Sequence, residues 1–160
     1  PMRLDVGWSR LPAGNWEVTL PPNRLGYLRG TEMPRVDSET VLVRVEAGTR
    51  QSVPLTVTMS TSVVSGKVVA AQGQAAVGAP VYLESIDPVS GRRTGELRST
   101  VTGTQGEYRF EGLRPTRYRL LSTFDMVDPD PKFFMMADRK VADVTLSGAA
   151  TVHVELYEVP

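Results

Sequence analysis

The chain has 160 residues, with 18 acidic and 18 basic side chains and no cysteine. Zero net charge excludes the electrostatic footprint expected of a nucleic-acid or anionic-membrane binder. The missing cysteine removes disulfides, thiolate catalysis and thiolate metal sites together.

No apolar run approaches the about 20 residues of a membrane helix, so no span is expected in this segment. Pro1 to Arg10 carries neither an initiator Met nor the charged start and apolar stretch of a signal peptide. The segment therefore reads as an interior or C-terminal piece of a longer protein whose signal or anchor would lie elsewhere.

Period-two alternation dominates and helical periodicity is nearly absent. Four strands are expected in the first sixty residues: Leu4 to Trp8, Trp16 to Leu20, Val41 to Glu46 and Val53 to Thr58. These four lack the partners needed to close a two-sheet core. Thr58 to Ser62 is a short connector with little slack. Beyond it, Val64, Gly66 and Val68 share one face of a strand, and Val81 and Leu83 one face of the next. Arg98 to Val101 leads into the turn cluster Gly103-Thr104-Gln105-Gly106, after which Tyr108 and Phe110 point one way and Glu107, Arg109 and Glu111 the other. Tyr118 and Leu120, then Ala142, Val144 and Leu146, then Val152, Val154 and Leu156, complete about seven short strands.

The two parts echo each other. Trp8, Leu11 and Trp16 each stand 102 positions before Phe110, Leu113 and Tyr118, and both sets flank a Pro-containing turn. Val53, Leu55 and Val57 precede Val152, Val154 and Leu156 by 99. A period of this size marks a domain rather than a solenoid repeat. The expected division is the C-terminal part of a truncated module over residues 1–60 and a complete one over 61–160.

Short strands punctuated by Gly and Pro turns predict an all-β fold, a seven-stranded antiparallel sandwich. Val64-Ser65-Gly66-Lys67-Val68, Gly73 to Val81, Thr102 to Phe110 and Leu113 to Tyr118 resemble the carboxypeptidase regulatory-like domains. That resemblance implies a transthyretin-like, Ig-like sandwich, also grouped with carbohydrate-binding-like folds, over Thr61 to Glu158 and in half-form before it. In place of the family's Asp-Gly type turn before the Tyr-Arg-Phe strand, this chain has Thr104-Gln105-Gly106 and lacks that acidic side chain.

Few residues carry chemistry. The single histidine, His153, alternates with Val152 and Val154 and falls on a solvent face, where it serves neither a triad nor a zinc site. No catalytic residue and no cofactor is expected. Asp125, Asp128 and Asp130 are the weak calcium candidates, set in a loop that Pro129 and Pro131 stiffen. Arg98, Arg109, Arg117 and Arg119 are expected on an outer face, neutralised by Glu96, Glu107 and Glu111. Trp8, Tyr108, Phe110 and Tyr118 fall on core-facing parity, which leaves Tyr82, Tyr157 and the pair Phe133-Phe134 as the outward rings, the candidate ligand or partner surface. Phe133 to Met136 breaks the alternation. Turned inward, these side chains cap the open end of the sandwich; turned outward, they form a partner patch.

The function expected is a non-catalytic structural or interaction module. Its partners would be neighbouring domains of the same chain, or protein or polysaccharide at a cell surface. The resemblance implies a larger secreted, periplasmic or cell-surface bacterial protein. The alternatives are a carbohydrate-binding module and an accessory domain of a peptidase or outer-membrane transporter.

Overall fold

The structure, a computed structural model, describes residues 2–3, 10–19, 27–29, 40–53, 56–59 and 62–159. The strands before residue 60 are β1 (Met2–Arg3), β2 (Gly14–Val18), β3 (Tyr27–Arg29), β4 (Val41–Val45) and β5 (Thr56–Thr58). β2 pairs antiparallel with β4, and β5 pairs with β1 on one side and β3 on the other. Val41 and Val43 of the first sheet and Val57 of the second form one small buried cluster. The expectation that these strands close no two-sheet core is corrected to that extent. Leu4 to Trp8 and Leu20 lie outside the described residues.

From Ser62 onward the chain builds β6 (Ser62–Val69), β7 (Pro80–Ile86), β8 (Arg93–Val101), β9 (Glu107–Leu113), β10 (Arg117–Thr123), α1 (Pro131–Met136), β11 (Ala142–Thr145), β12 (Ala149–Thr151) and β13 (Val154–Tyr157). One sheet has β6 between β9 and β12; the other runs β8, β7, β10, with β11 on the far edge of β10. β13 joins the two, pairing parallel with the end of β6 and then with the end of β10. Alternation puts Val64 and Val68, Val81 and Leu83, Tyr108 and Phe110, and Tyr118 and Leu120 into a common core, with Leu146 and Val154. The sheets face each other through these residues, as the period-two pattern predicts.

The last strand can change sheets because of one glycine. A Cβ on Gly66 would land on the Val152 carbonyl, which also accepts a hydrogen bond from the Tyr108 hydroxyl at 2.5 Å. Val152 N–H donates to the Ser65 carbonyl at 2.8 Å. The chain between β12 and β13 is thus held against β6 where a side chain would exclude it.

Register places the ends of the sandwich. Pro80 lies opposite Val101, Val81 opposite Ser122, and Thr123 beside Tyr157, so the start of β7 and the ends of β8, β10 and β13 share one end. The start of β6 and the β7–β8 hairpin lie at the other. The chain enters this sandwich at Ser62 and leaves it beyond Tyr157 at the opposite end.

Candidate interaction surface

The outer face of the β8–β7–β10 sheet is not bare. Tyr82 and Leu121 point outward from it, as parity requires, yet Tyr82 is only 4% exposed and Leu121 is buried. They are covered by Phe133, Phe134 and Ala137, with Leu97, Val141 and Tyr157 at the margin. The cover is a strap, residues 124–141, laid across the sheet. Its helix starts where chemistry dictates: the Asp130 carboxylate accepts the Phe133 N–H at 2.8 Å as N-cap, and Pro131 follows at the first helical position. A six-residue helix has little stability of its own. Burial of Phe133, Phe134 and Ala137 on one side holds it, while Met135 and Met136 on the other face water.

Three further bonds pin the strap. The Tyr82 hydroxyl donates to the Met126 carbonyl at 2.9 Å, and Arg93 donates to the Pro129 carbonyl at 2.8 Å. Asp125 accepts the Val159 N–H at 2.7 Å, tying the outgoing chain to the same end. Burial, then the nearby Asp128, pushes the Tyr82 phenol above its ordinary range.

Beneath the helix lies a charged cluster. Glu84 is 0% exposed, with Arg93 Nε at 2.6 Å from Oε2 and Arg119 paired to Oε1. Arg119 sits directly opposite Glu84 in the β7–β10 register. On the other side β8 bulges between Arg98 and Thr94, a kink that Gly95 allows at φ +64°. The Phe134 ring, wholly buried, closes the cluster, with guanidinium carbons 5.3 Å (Arg93) and 5.6 Å (Arg119) from its centroid. Two cations against one buried anion need such a partner, since the ring's negative face offsets the uncompensated charge.

Several expected sites are corrected by these contacts. Tyr82, Phe133 and Phe134 are not exposed rings: Tyr82 points outward but lies beneath the strap, and Phe133 and Phe134 of the strap are buried against the sheet, Phe134 completely. Tyr157 is half-buried, its ring edge-on to Phe133 at 5.7 Å. Phe133 and Phe134 do turn inward, but they cover the outer sheet face and not an open end. Asp125, Asp128 and Asp130 do not converge; Asp130 caps the helix and Asp125 holds the Val159 amide. Among the described residues no three His, Asp or Glu side chains form a metal-binding group. His153 is exposed, between β12 and β13.

The expected arginine face also divides differently. Arg119 joins Glu84 beneath the helix, Arg117 pairs with Asp143 across β10 and β11, Arg109 pairs with Glu111 on its own strand, and Arg98 donates to the Glu111 carbonyl. The turn before Tyr108 recovers a carboxylate from downstream. Glu107 folds back over Gly103 and accepts the Gln105 N–H at 2.8 Å. Its own backbone N–H and that of Gln105, with Lys67 nearby, hold its pKa below the usual carboxylate range.

Exposed apolar side chains remain that sequence patterning did not reveal: Phe124, Met126 and Val127 lie on the strap among Asp125, Asp128 and Asp130, and Val101 ends β8. The signal was present as three apolar residues inside an Asp- and Pro-rich stretch that can neither pair as a strand nor reach the core.

No curated protein matches the chain. Solved structures that it is similar to include a candidate carbohydrate-binding protein of Pseudomonas aeruginosa, at 18% identity over 59% of this chain and 88% of that one, with a TM-score of 0.37. A streptococcal ancillary pilin aligns at 17% identity over 91% of this chain and 45% of the pilin, TM-score 0.41. BcpA, the major pilin subunit of Bacillus cereus, aligns at 13% over 64% of this chain, TM-score 0.38. The chain spans less than half the length of either pilin. The sequence model of the carboxypeptidase regulatory-like domain matches residues 63–156, more than half of the chain, and the chain belongs to that family.

Proposed function

We propose that the chain is a non-catalytic structural and interaction module of a larger secreted or cell-surface bacterial protein, holding its neighbours apart along one axis. The observation that carries this reading is the path of the chain. It enters at Ser62, runs parallel with itself along β6 and again along β12 and β13, and leaves at the far end. β6 alone, at about 3.3 Å per residue, separates entry from exit by roughly 25 Å. The large rings support it too, since Tyr108, Phe110, Tyr118, Tyr82 and Phe134 are spent on packing and cannot stack on a sugar.

The division into a partial module over 1–60 and a complete one over 61–160 belongs to the same proposal. It is supported by matched local geometry. Trp16 Nε1 donates to the Pro12 carbonyl and Tyr118 Oη to the Arg114 carbonyl, the same four-residue step 102 positions apart.

The test is replacement. In the full-length protein, exchanging residues 62–159 for an unrelated sandwich of equal end-to-end length should preserve the host's activity. Loss of activity with normal folding and export would replace the spacer reading with a binding or accessory one.

A further inference from the structure

The strap over the outer sheet face also has a solvent side, and the charges along it are ordered. Its first part, residues 124–130, carries Asp125, Asp128 and Asp130 and no basic residue; its second, residues 131–140, carries Lys132, Arg139 and Lys140 against the single acid Asp138. Both parts hold apolar side chains in water. Val127 is 80% exposed in the acidic part and Met136 71% exposed in the basic one; Phe124 and Met126 are exposed in the first as well, and Met135 in the second. The two parts lie on one sheet face, because Tyr82 and Arg93 hold the Met126 and Pro129 carbonyls while Phe133, Phe134 and Ala137 pack with Tyr82 and Leu121. The strap is thus fixed from beneath. Some of its charges are already engaged: Asp130 caps the helix, Asp125 holds the Val159 amide and Lys140 pairs with Glu155. Among the described residues Asp128, Lys132 and Arg139 hold no ion pair, and all three are exposed.

We infer that two copies of this chain pair through their straps about a two-fold axis, the acidic part of each laid on the basic part of the other. The order of charge selects a second copy as the occupant. A patch of one sign would call for a partner of the opposite sign, whereas an acidic block followed by a basic one is complementary to its own two-fold image. Asp128 of each copy then faces Lys132 and Arg139 of the other. The exposed apolar groups meet in the same arrangement, Phe124 and Val127 against Met135 and Met136, whose thioethers adapt to such a surface. Fixed from beneath, the strap loses little further freedom on docking. The interface is isologous, so it closes at two copies and does not grow into a row. A single strap is a small surface, at the low end of interface sizes below about 1,200 Å², so the pairing is weak, with a dissociation constant of about 100 μM. The spacer role does not require it, and either can fail without the other.

Sedimentation equilibrium of the 160-residue chain tests the inference. The weight-average mass should climb from near the monomer's at about 10 μM toward twice that value at about 1 mM and stop there. Asp128→Lys strips the acidic part of its unpaired charge, and the double variant Lys132→Glu, Arg139→Glu turns the basic part acidic. Each alone should pair at least about tenfold more weakly, because like charges then meet across the axis. Mixed in equal amounts, the two variants again set opposite charges face to face and should form a one-to-one dimer of wild-type strength. Met136→Glu, which places an acid in the basic part, should abolish pairing without touching the underside of the strap. All these positions face water, so folding is not at stake, and unchanged circular dichroism checks it. A wild type that stays monomeric to about 1 mM overturns the inference, as do a mass that grows past the dimer, charge variants that pair as the wild type does, or a mixture that does not pair.

Discussion

Trp16 and Tyr118 occupy matching places in two parts of the chain, and the difference between them shows what a sandwich needs. Each donates to a carbonyl four residues back, and each lies in a strand that pairs antiparallel with a later one, Trp16 opposite Val43 and Tyr118 opposite Val144. Tyr118 is buried, because β6 and β9 lie across from it; Trp16 is only half-buried, and the cluster near it reduces to Val41, Val43 and Val57 with a few neighbours. The corner is local and forms in both parts, and in both its strand pairs with one that returns after an intervening element. Burial of the ring depends on a second sheet, and among the described residues the part after Ser62 has the fuller one.

The comparison breaks most severely at Gly66. Gly66→Ala drives a methyl into the Val152 carbonyl, which must retreat and take the sheet-changing strand with it. A loss of roughly 3 kcal/mol or more is expected, lowering the melting temperature of the larger sandwich by more than about 10 °C. Circular dichroism melting reads it, and a near-neutral result would mean that β12 and β13 do not run against β6 as described.

Glu84→Ala comes next. It leaves Arg93 and Arg119 facing each other under Phe134 without their anion, at a cost of roughly 3 kcal/mol. Hydrogen exchange should then quicken across residues 126–137 before it does in β6 or β9, because the strap rests on this cluster. Uniform acceleration would contradict that order.

The sharpest comparison is smaller. Tyr118→Phe removes a partly buried donor and should cost about 1 kcal/mol. Trp16→Phe removes an exposed one and should cost a few tenths at most, about 0.3 kcal/mol. Equal losses in denaturant titrations would show that the two corners are packed alike.

The smallest effect expected is electrostatic. Because the pKa of Glu107 is lower folded than unfolded, its contribution is fully present above the ordinary carboxylate range and is lost as pH falls through the depressed value. Glu107→Gln should therefore flatten the acid limb of the stability profile and leave stability near neutral pH little changed in its pH dependence. An unaltered acid limb would remove Glu107 from the turn's support.

Alternation along the chain by itself determined the sandwich core. Val64, Val68, Tyr108, Phe110, Tyr118 and Leu120 lie inward because a strand's side chains change face at every residue, which is a purely local rule. The same rule sent Tyr82 to the outer face, correctly, but it carries no information about what lies on that face. Only the tertiary structure decided that a strap covers it, buries Phe133 and Phe134 there, and draws Arg119 to Glu84 in place of solvent. The Asp130-Pro131 pair could have announced the helix, since an N-cap followed by proline is a local signal. Its docking could not have been read from pattern, because the contacts join residues some 35 to 50 positions apart, Tyr82 to Met126 and Phe134 to Arg93 among them, and such pairings are set by how the sheets pack.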